Sequence, residues 1–320
     1  MGWAAVDAAA RGRTEHAPTL ADYPDHLVRR TSFISGGHHG WRISAIETPR
    51  SKPTPWKIVV ITGAPSWAEY WADTLAELPQ DREMIVVDRP GYAASEPAHP
   101  VHDIRVQAEA LAPVLKAARG QKVLLVGQSY GAAIAAIMAE QNPRQVAGLV
   151  LLSGFFGEAG PTARWLLDVG SRTLKLIPRD LRHAVIEVKG QKAQLRHAEQ
   201  ALSRLRVPIH MIHGDKDDFA PLEVAERMAA ETVTRRPIRV VRTRRCQSFS
   251  QRRPGRGADR RHRGLHSAAK AALELSLAQS ARALGHQTRF GLIQGRNTAV
   301  ATANPITTIQ GGALAMARNT

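Results

Sequence analysis

One cysteine, Cys246, stands in 320 residues, so no disulfide can form within the chain and nothing points to an oxidising compartment. No apolar run approaches the length of a membrane span, and the opening MGWAAVDAAARGR interrupts its only apolar stretch with Asp7. These absences set the expectation of a soluble, cytoplasmic protein. Acidic residues are scarce in one place only. Residues 235–320 hold 17 Lys and Arg against 2 Asp and Glu, a net of +15, whereas residues 1–234 hold 27 against 26. The formal charge of +16 therefore belongs to the tail. Such a block can attract nucleic acid or anionic lipid, and its plain alternative is a solvated, disordered segment. Stacking on bases needs aromatic side chains, yet Phe249 and Phe290 are the only ones after residue 234. Nucleic-acid binding, if any, is expected to be non-specific and to run through the tail.

What the sequence does have is a recurring short, β-branched apolar run. KIVVITGAP, EMIVVDRPG, KVLLVGQSYG, VAGLVLLSG and VPIHMIHGD read as strands buried on both faces of a parallel sheet. Helical patterns such as SWAEYWADTLAEL and VHDIRVQAEALAPVLKAA lie between them, and this alternation predicts a doubly wound α/β sheet. Ahead of it, two β-leaning runs around Gly36-Gly37 predict a hairpin, and residues 1–26 read as a flexible lead-in. About fifty residues separate the strand ending near Ser153 from the one starting near Val207, more than a crossover needs. The surplus, about 155–204, predicts a small helical lid. Its Phe155, Phe156, Trp165, Leu166 and Leu167 either line a pocket or form the lid's own core.

The chemistry centres on VLLVGQSYGAAIAAIMAEQ. A G-x-S-x-G pattern is weak alone, but here it joins a buried strand to an alanine-rich helix. A sharp turn at that join would lift Ser129 above the sheet, with Gly127 and Gly131 required because side chains there would collide. The helix would point its first amides at the serine, favouring developing negative charge. On these residues the chain, over roughly 27–241, resembles the α/β-hydrolase fold, and its serine hydrolases in particular. TGAP (62–65) is similar to the family's His-Gly-x-Pro loop, with Thr62 in place of the histidine. DRPGYAASEP (88–97) resembles its Asp-x-Pro-Gly-x-Gly-x-Ser segment, with Ala93 at the second glycine.

The resemblance implies oxyanion amides from Ala64 and Tyr130, and an acid in HGDKDDFAP, after the penultimate strand. Counting from Gly214 places that acid at Asp217, with Asp215 and Asp218 as the alternatives. The acid would hold an imidazole in the right tautomer. It further implies a hydrolase acting on carboxylic ester or related acyl bonds of a small apolar substrate, with no cofactor and no metal. His38 and His39 fall in the hairpin, and His210 and His213 alternate along a strand, so local packing explains all four better than zinc ligation.

One group is missing. The resemblance implies a histidine on the loop after the last strand, PIRVV (237–241), but the next residues are RTRRCQSFSQRRPG and no histidine follows until His262. His266 and His286 come later, and spacing favours none of the three. A frameshift near residue 242 accounts for both the lost histidine and the arginines. Cys246-Gln247-Ser248-Phe249, written TGY CAR TCN TTY, reads GYC ART CNT one base later, which permits Ala-Asn-His. On this reading residues 242–320 are a non-native tail. The serine then lacks its base and turnover is impaired.

Overall fold

The computed structural model describes residues 20–233, 238–243 and 307–308. The apolar runs form the strands expected of them: β1 (Arg29–Ile34), β2 (Arg42–Glu47), β3 (Trp56–Ile61), β4 (Arg82–Val87), β5 (Lys122–Gln128), β6 (Val146–Leu152), β7 (Ile209–Gly214) and β8 (Ile238–Thr243). A two-residue strand, β9 (Thr307–Thr308), pairs antiparallel with β8. The sheet order is β1-β2-β4-β3-β5-β6-β7-β8-β9. β1 and β2 form an antiparallel hairpin, β2 meets β4 antiparallel, and β4 through β8 pair in parallel.

Burial on both faces follows from the strand period of two. In β3, Val59 and Ile61 join one apolar cluster while Ile58 and Val60 join the other, on the opposite face. The first cluster packs under α3 (Gly131–Gln141), whose residues 131–139 are all buried. A helix apolar all round belongs inside a protein, and its five alanines let it lie close to the sheet. The second cluster takes Trp71 and Leu75 from a 3₁₀ turn (Ala68–Trp71) and the five-residue α1 (Ala72–Ala76). Leu20, Tyr23 and Leu27 also pack on it, so chain read as lead-in is docked from residue 20 onward. The second expected helix is α2 (Ile104–Leu111), capped by Asp103, whose side chain accepts from the Arg105 amide. It tightens to a 3₁₀ turn at Ala112–Leu115, where Pro113 brings no N–H.

Between β6 and β7 lie α4 (Pro161–Arg172), α5 (Arg179–Gln191) and α6 (Leu195–Arg204). α6 buries Ala198, Ala201 and Leu202 in the first cluster. α4 and α5 approach closely at Gly170, where a Cβ would sit 2.7 Å from Val185 Cγ2. That contact makes Ala163 and Gly170 the inward face of α4. Phe155 and Phe156 are buried, but Trp165 and Leu166 are exposed and so are not part of the insertion's own core. The last helix is α7 (Leu222–Glu231). The tail, with its charge block and the frameshift reading, lies outside the described residues apart from Thr307 and Thr308.

Candidate active site

β5 passes into α3 through Ser129, which has φ of 49°, a left-handed conformation that costs a non-glycine residue about 1–3 kcal/mol. The surrounding backbone holds it there. Its amide donates to the Leu152 carbonyl at 2.9 Å, and its carbonyl accepts from Ala132 and Phe155 at 3.0 Å. A Cβ at Gly127 would come within 2.7 Å of Ala132 Cα, and one at Gly131 would run into the Ile61 and Thr62 carbonyl oxygens. Ser129 itself is only half-buried, and its Oγ has no hydrogen bond among the described residues.

The 62–65 loop lies directly against this serine: a Cβ at Gly63 would be 3.0 Å from Ser129 Cβ and 3.5 Å from its Oγ. Neither the Ala64 nor the Tyr130 amide donates a hydrogen bond among the described residues. Thr62, at the position of the family's histidine, supports the loop by donating to the Val87 carbonyl at 2.9 Å and bonding to Ser66 Oγ. Ala93 has φ of 46°, a conformation natural to the glycine it replaces.

Within the 88–97 segment the sequence pattern assigned no role to Arg89. This guanidinium is wholly buried. Its Nε donates to the Thr62 and Gly63 carbonyls at 3.0 and 3.2 Å, and Nη2 to Gly63 at 2.9 Å. Nη1 reaches Gln107 Oε1 at 2.6 Å and the Glu187 carboxylate at 3.0 Å. The rings of Tyr92 and Tyr130 cover it at 4.7 and 4.6 Å. Tyr92 Oη also donates to Glu187, at 2.8 Å. Burial pushes the Glu187 carboxyl up, opposed by the Arg89 charge and the Tyr92 bond. One buried charge pair thus joins the loop beside Ser129 to α5. The only sequence signal for it was an arginine two residues past a buried strand.

Asp217 stands on the loop after β7, its carboxylate buried. Oδ1 accepts from the Phe219 and Ala220 amides at 3.1 and 3.0 Å, while Oδ2 has no hydrogen bond among the described residues. Burial raises its pKa, and the Ala220 amide, His213 and Ser153 draw it back. Ser153 Oγ is near enough to act on that carboxylate, yet it too makes no hydrogen bond of normal geometry. His213 Nε2 is 3.8 Å from Oδ2 but is engaged with the Ala220 carbonyl at 2.6 Å. Of the alternatives, Asp218 accepts from Thr162 Oγ1 at 2.6 Å, and Asp215 is exposed. Ser129, Ser153 and the Asp217 loop follow the carboxyl ends of three adjacent parallel strands, β5, β6 and β7.

No described histidine bonds to Ser129. His183, on α5, engages the Gly91 carbonyl at 2.7 Å, and His210 is buried along β7. His262, His266 and His286 lie outside the described residues. Among the described residues no three His, Cys, Asp or Glu side chains are grouped as metal ligands.

Residues 57–183 match the family described as alpha/beta hydrolase fold. A search of curated proteins returns no match. Among solved structures, a thermophilic esterase from Thermogutta terrifontis is 19% identical, covering 77% of this chain and 99% of its own, with a TM-score of 0.52. Esterase RhEst1 from Rhodococcus sp. is 18% identical, at 76% and 98% coverage and a TM-score of 0.53. The haloalkane dehalogenase DatA from Agrobacterium tumefaciens C58 is 17% identical, at 79% and 97% coverage and a TM-score of 0.55. Strand order, the strained strand-to-helix turn and these likenesses agree that this chain has the α/β-hydrolase fold.

Proposed function

We propose that the protein is a serine hydrolase for carboxylic esters or related acyl bonds, acting through Ser129. The observation that carries this reading is the pairing of a strained, half-buried serine with a buried carboxylate whose Oδ2 is unspent, at the same end of the sheet. Ser129 Oγ adds to the substrate carbonyl carbon and gives its proton to a base. The carbonyl oxygen becomes an oxyanion between the Ala64 and Tyr130 amides. The alcohol leaves with that proton, and water then repeats the sequence on the acyl-serine to release the acid. Asp217 Oδ2 is the acceptor for the N–H of the base and would stabilise its charged form. β5 and β7 are two strand spacings apart, about 10 Å, which leaves room for one imidazole between their loops. The insertion formed by α4 and α5 acts as a lid for a small apolar substrate. Ser129 argues against dehalogenation, which commonly uses aspartate at this turn.

The resemblance places the base on the loop just after β8, and the frameshift reading removes it from there. Loss of one member of such a triad leaves about 10³–10⁴-fold catalysis over water, from oxyanion binding and substrate positioning. A p-nitrophenyl ester assay tests both parts of the reading. Slow turnover abolished by Ser129→Ala is expected. Brisk Ser129-dependent turnover would refute the impairment, and turnover unchanged in Ser129→Ala would refute the nucleophile.

A further inference from the structure

Seven large apolar side chains are exposed among the described residues, and five of them fall within residues 165–181: Trp165, Leu166, Val169, Leu176 and Leu181. Trp165, at 63%, and Leu176, at 75%, stand furthest out. Trp165 and Val169 are four residues apart on one stripe of α4, opposite the Ala163 and Gly170 face that meets α5. Concentration of exposed apolar groups in one short span marks a contact surface. The charges around it are mainly of one sign. Arg164, Arg172 and Lys175 are exposed and make no ion pair among the described residues, whereas Asp168 is the one exposed acid between 161 and 182. Arg179 is already spent on Asp180 and the Ala93 carbonyl.

We infer that this face of the helical insertion docks on an anionic phospholipid surface. The apolar side chains enter the headgroup boundary, and Arg164, Arg172 and Lys175 lie level with the lipid phosphates. A second copy of the chain is the poorer occupant, because the patch would meet its own positive charge. A nucleic acid has no use for five aliphatic and indole side chains, four of which cannot stack on a base. The sequence supplies a second source of attraction in the +15 of residues 235–320. An apolar insertion together with a basic segment holds a protein on a membrane better than either alone.

The test uses the full chain, sedimented with phosphatidylcholine vesicles with and without phosphatidylglycerol. Binding is expected only when phosphatidylglycerol is present, and it should fall as salt rises. Trp165→Ser with Leu176→Ser should lower the partition constant about tenfold or more. Arg172→Gln with Lys175→Gln should lower it about fivefold for each charge removed. All four side chains are exposed, so these variants fold, which circular dichroism checks. Bound protein should show a blue-shifted tryptophan emission that Trp165→Phe removes. Equal binding of the apolar double variant would assign the attraction to the tail alone and overturn the inference. Absence of wild-type binding, or equal binding to both vesicle types, would overturn it as well. Ser129→Ala must bind like the wild type, so the result is independent of the chemistry at that serine.

Discussion

Breaking the Arg89–Glu187 pair separates what holds the protein folded from what holds the loop proposed to bind the oxyanion. Both side chains are wholly buried and meet at 3.0 Å, with Arg89 also spanning the Thr62 and Gly63 carbonyls. Glu187→Gln leaves a guanidinium in the interior without a counter-charge, which costs about 3–5 kcal/mol. A domain of this size has about 5–15 kcal/mol in all, so the variant should lose a large part of its stability and roughly 10 °C of Tm. The double variant Arg89→Met with Glu187→Leu removes both charges and substitutes apolar groups of similar length. Replacements of that kind are often neutral, so urea unfolding should return it to within about 1–2 kcal/mol of the wild type. Its Gly63 carbonyl has nevertheless lost its anchor, and the next amide, that of Ala64, is the one assigned to the oxyanion. Losing one such donor costs about 10²–10³ in kcat. Ser129-dependent ester turnover in the double variant should therefore fall towards that limit at unchanged KM. A Glu187→Gln cost below about 1 kcal/mol would refute the energetic argument. Full turnover in the stable double variant would refute the positioning role.

Asp88 offers a pH test, since burial and then the Glu69 charge raise its carboxyl from 3.8 to about 7. The folded chain keeps that proton after the unfolded chain has released it, so stability should decline as pH rises from about 4 towards 7. Asp88→Asn, which can still accept from the Ala68 amide, should flatten that decline in denaturant unfolding at several pH values; an unchanged slope would assign the effect elsewhere. Ser129→Gly should raise stability by about 1 kcal/mol while abolishing turnover, because glycine adopts φ of 49° without strain. Equal or lower stability would place the strain outside this residue. Added imidazole should accelerate ester cleavage by the wild type beyond the rate of Ser129→Ala in the same buffer, and equal rates would show that no gap beside Asp217 accepts a base.

The strands were legible because a parallel sheet covered on both faces leaves runs such as WKIVVI with almost no polar position, and no other element of six residues needs that. Ser129 was legible because its glycine neighbours have a steric reason that spacing displays. Asp217 could be chosen from three aspartates only by family spacing. What separates them physically, two backbone amides on one oxygen and none on the other, is a property of the folded loop. Arg89 was hidden for a different reason. Its partners are Thr62, Gly63, Gln107 and Glu187, drawn from three segments up to 98 residues away, and no local pattern encodes such a meeting. Trp165 misled because a large aromatic at helical spacing usually faces a core. The small residues Ala163 and Gly170 decided the helix's inward face, since only they permit the close approach to α5.

Two unrelated kinds of cost coincide at one end of the sheet. Positive φ at non-glycine residues falls, among the described residues, on Ala93, Ser129 and Ser153, in the segments that follow the carboxyl ends of β4, β5 and β6. Buried side-chain atoms without a hydrogen bond, among the described residues, are Ser153 Oγ, Asp217 Oδ2, Tyr130 Oη and Gln191 Oε1. Two of these belong to the same strand ends, Tyr130 follows Ser129, and Gln191 reaches the Tyr130 carbonyl at 3.3 Å. Among the described residues, the opposite end of the sheet shows neither cost. A cavity of about 420 Å³ lies there, lined by residues such as Lys122, Pro143, Val146 and Pro208, and the only positive φ in its lining is at Gly120. Strain and unmet polarity point to the end that carries Ser129, and a sequence chosen for stability alone would relieve the strain, since glycine at 129 removes it in a single step. Their retention together, on loops that a core of two apolar layers holds rigid, is the physical ground for placing the chemistry at Ser129.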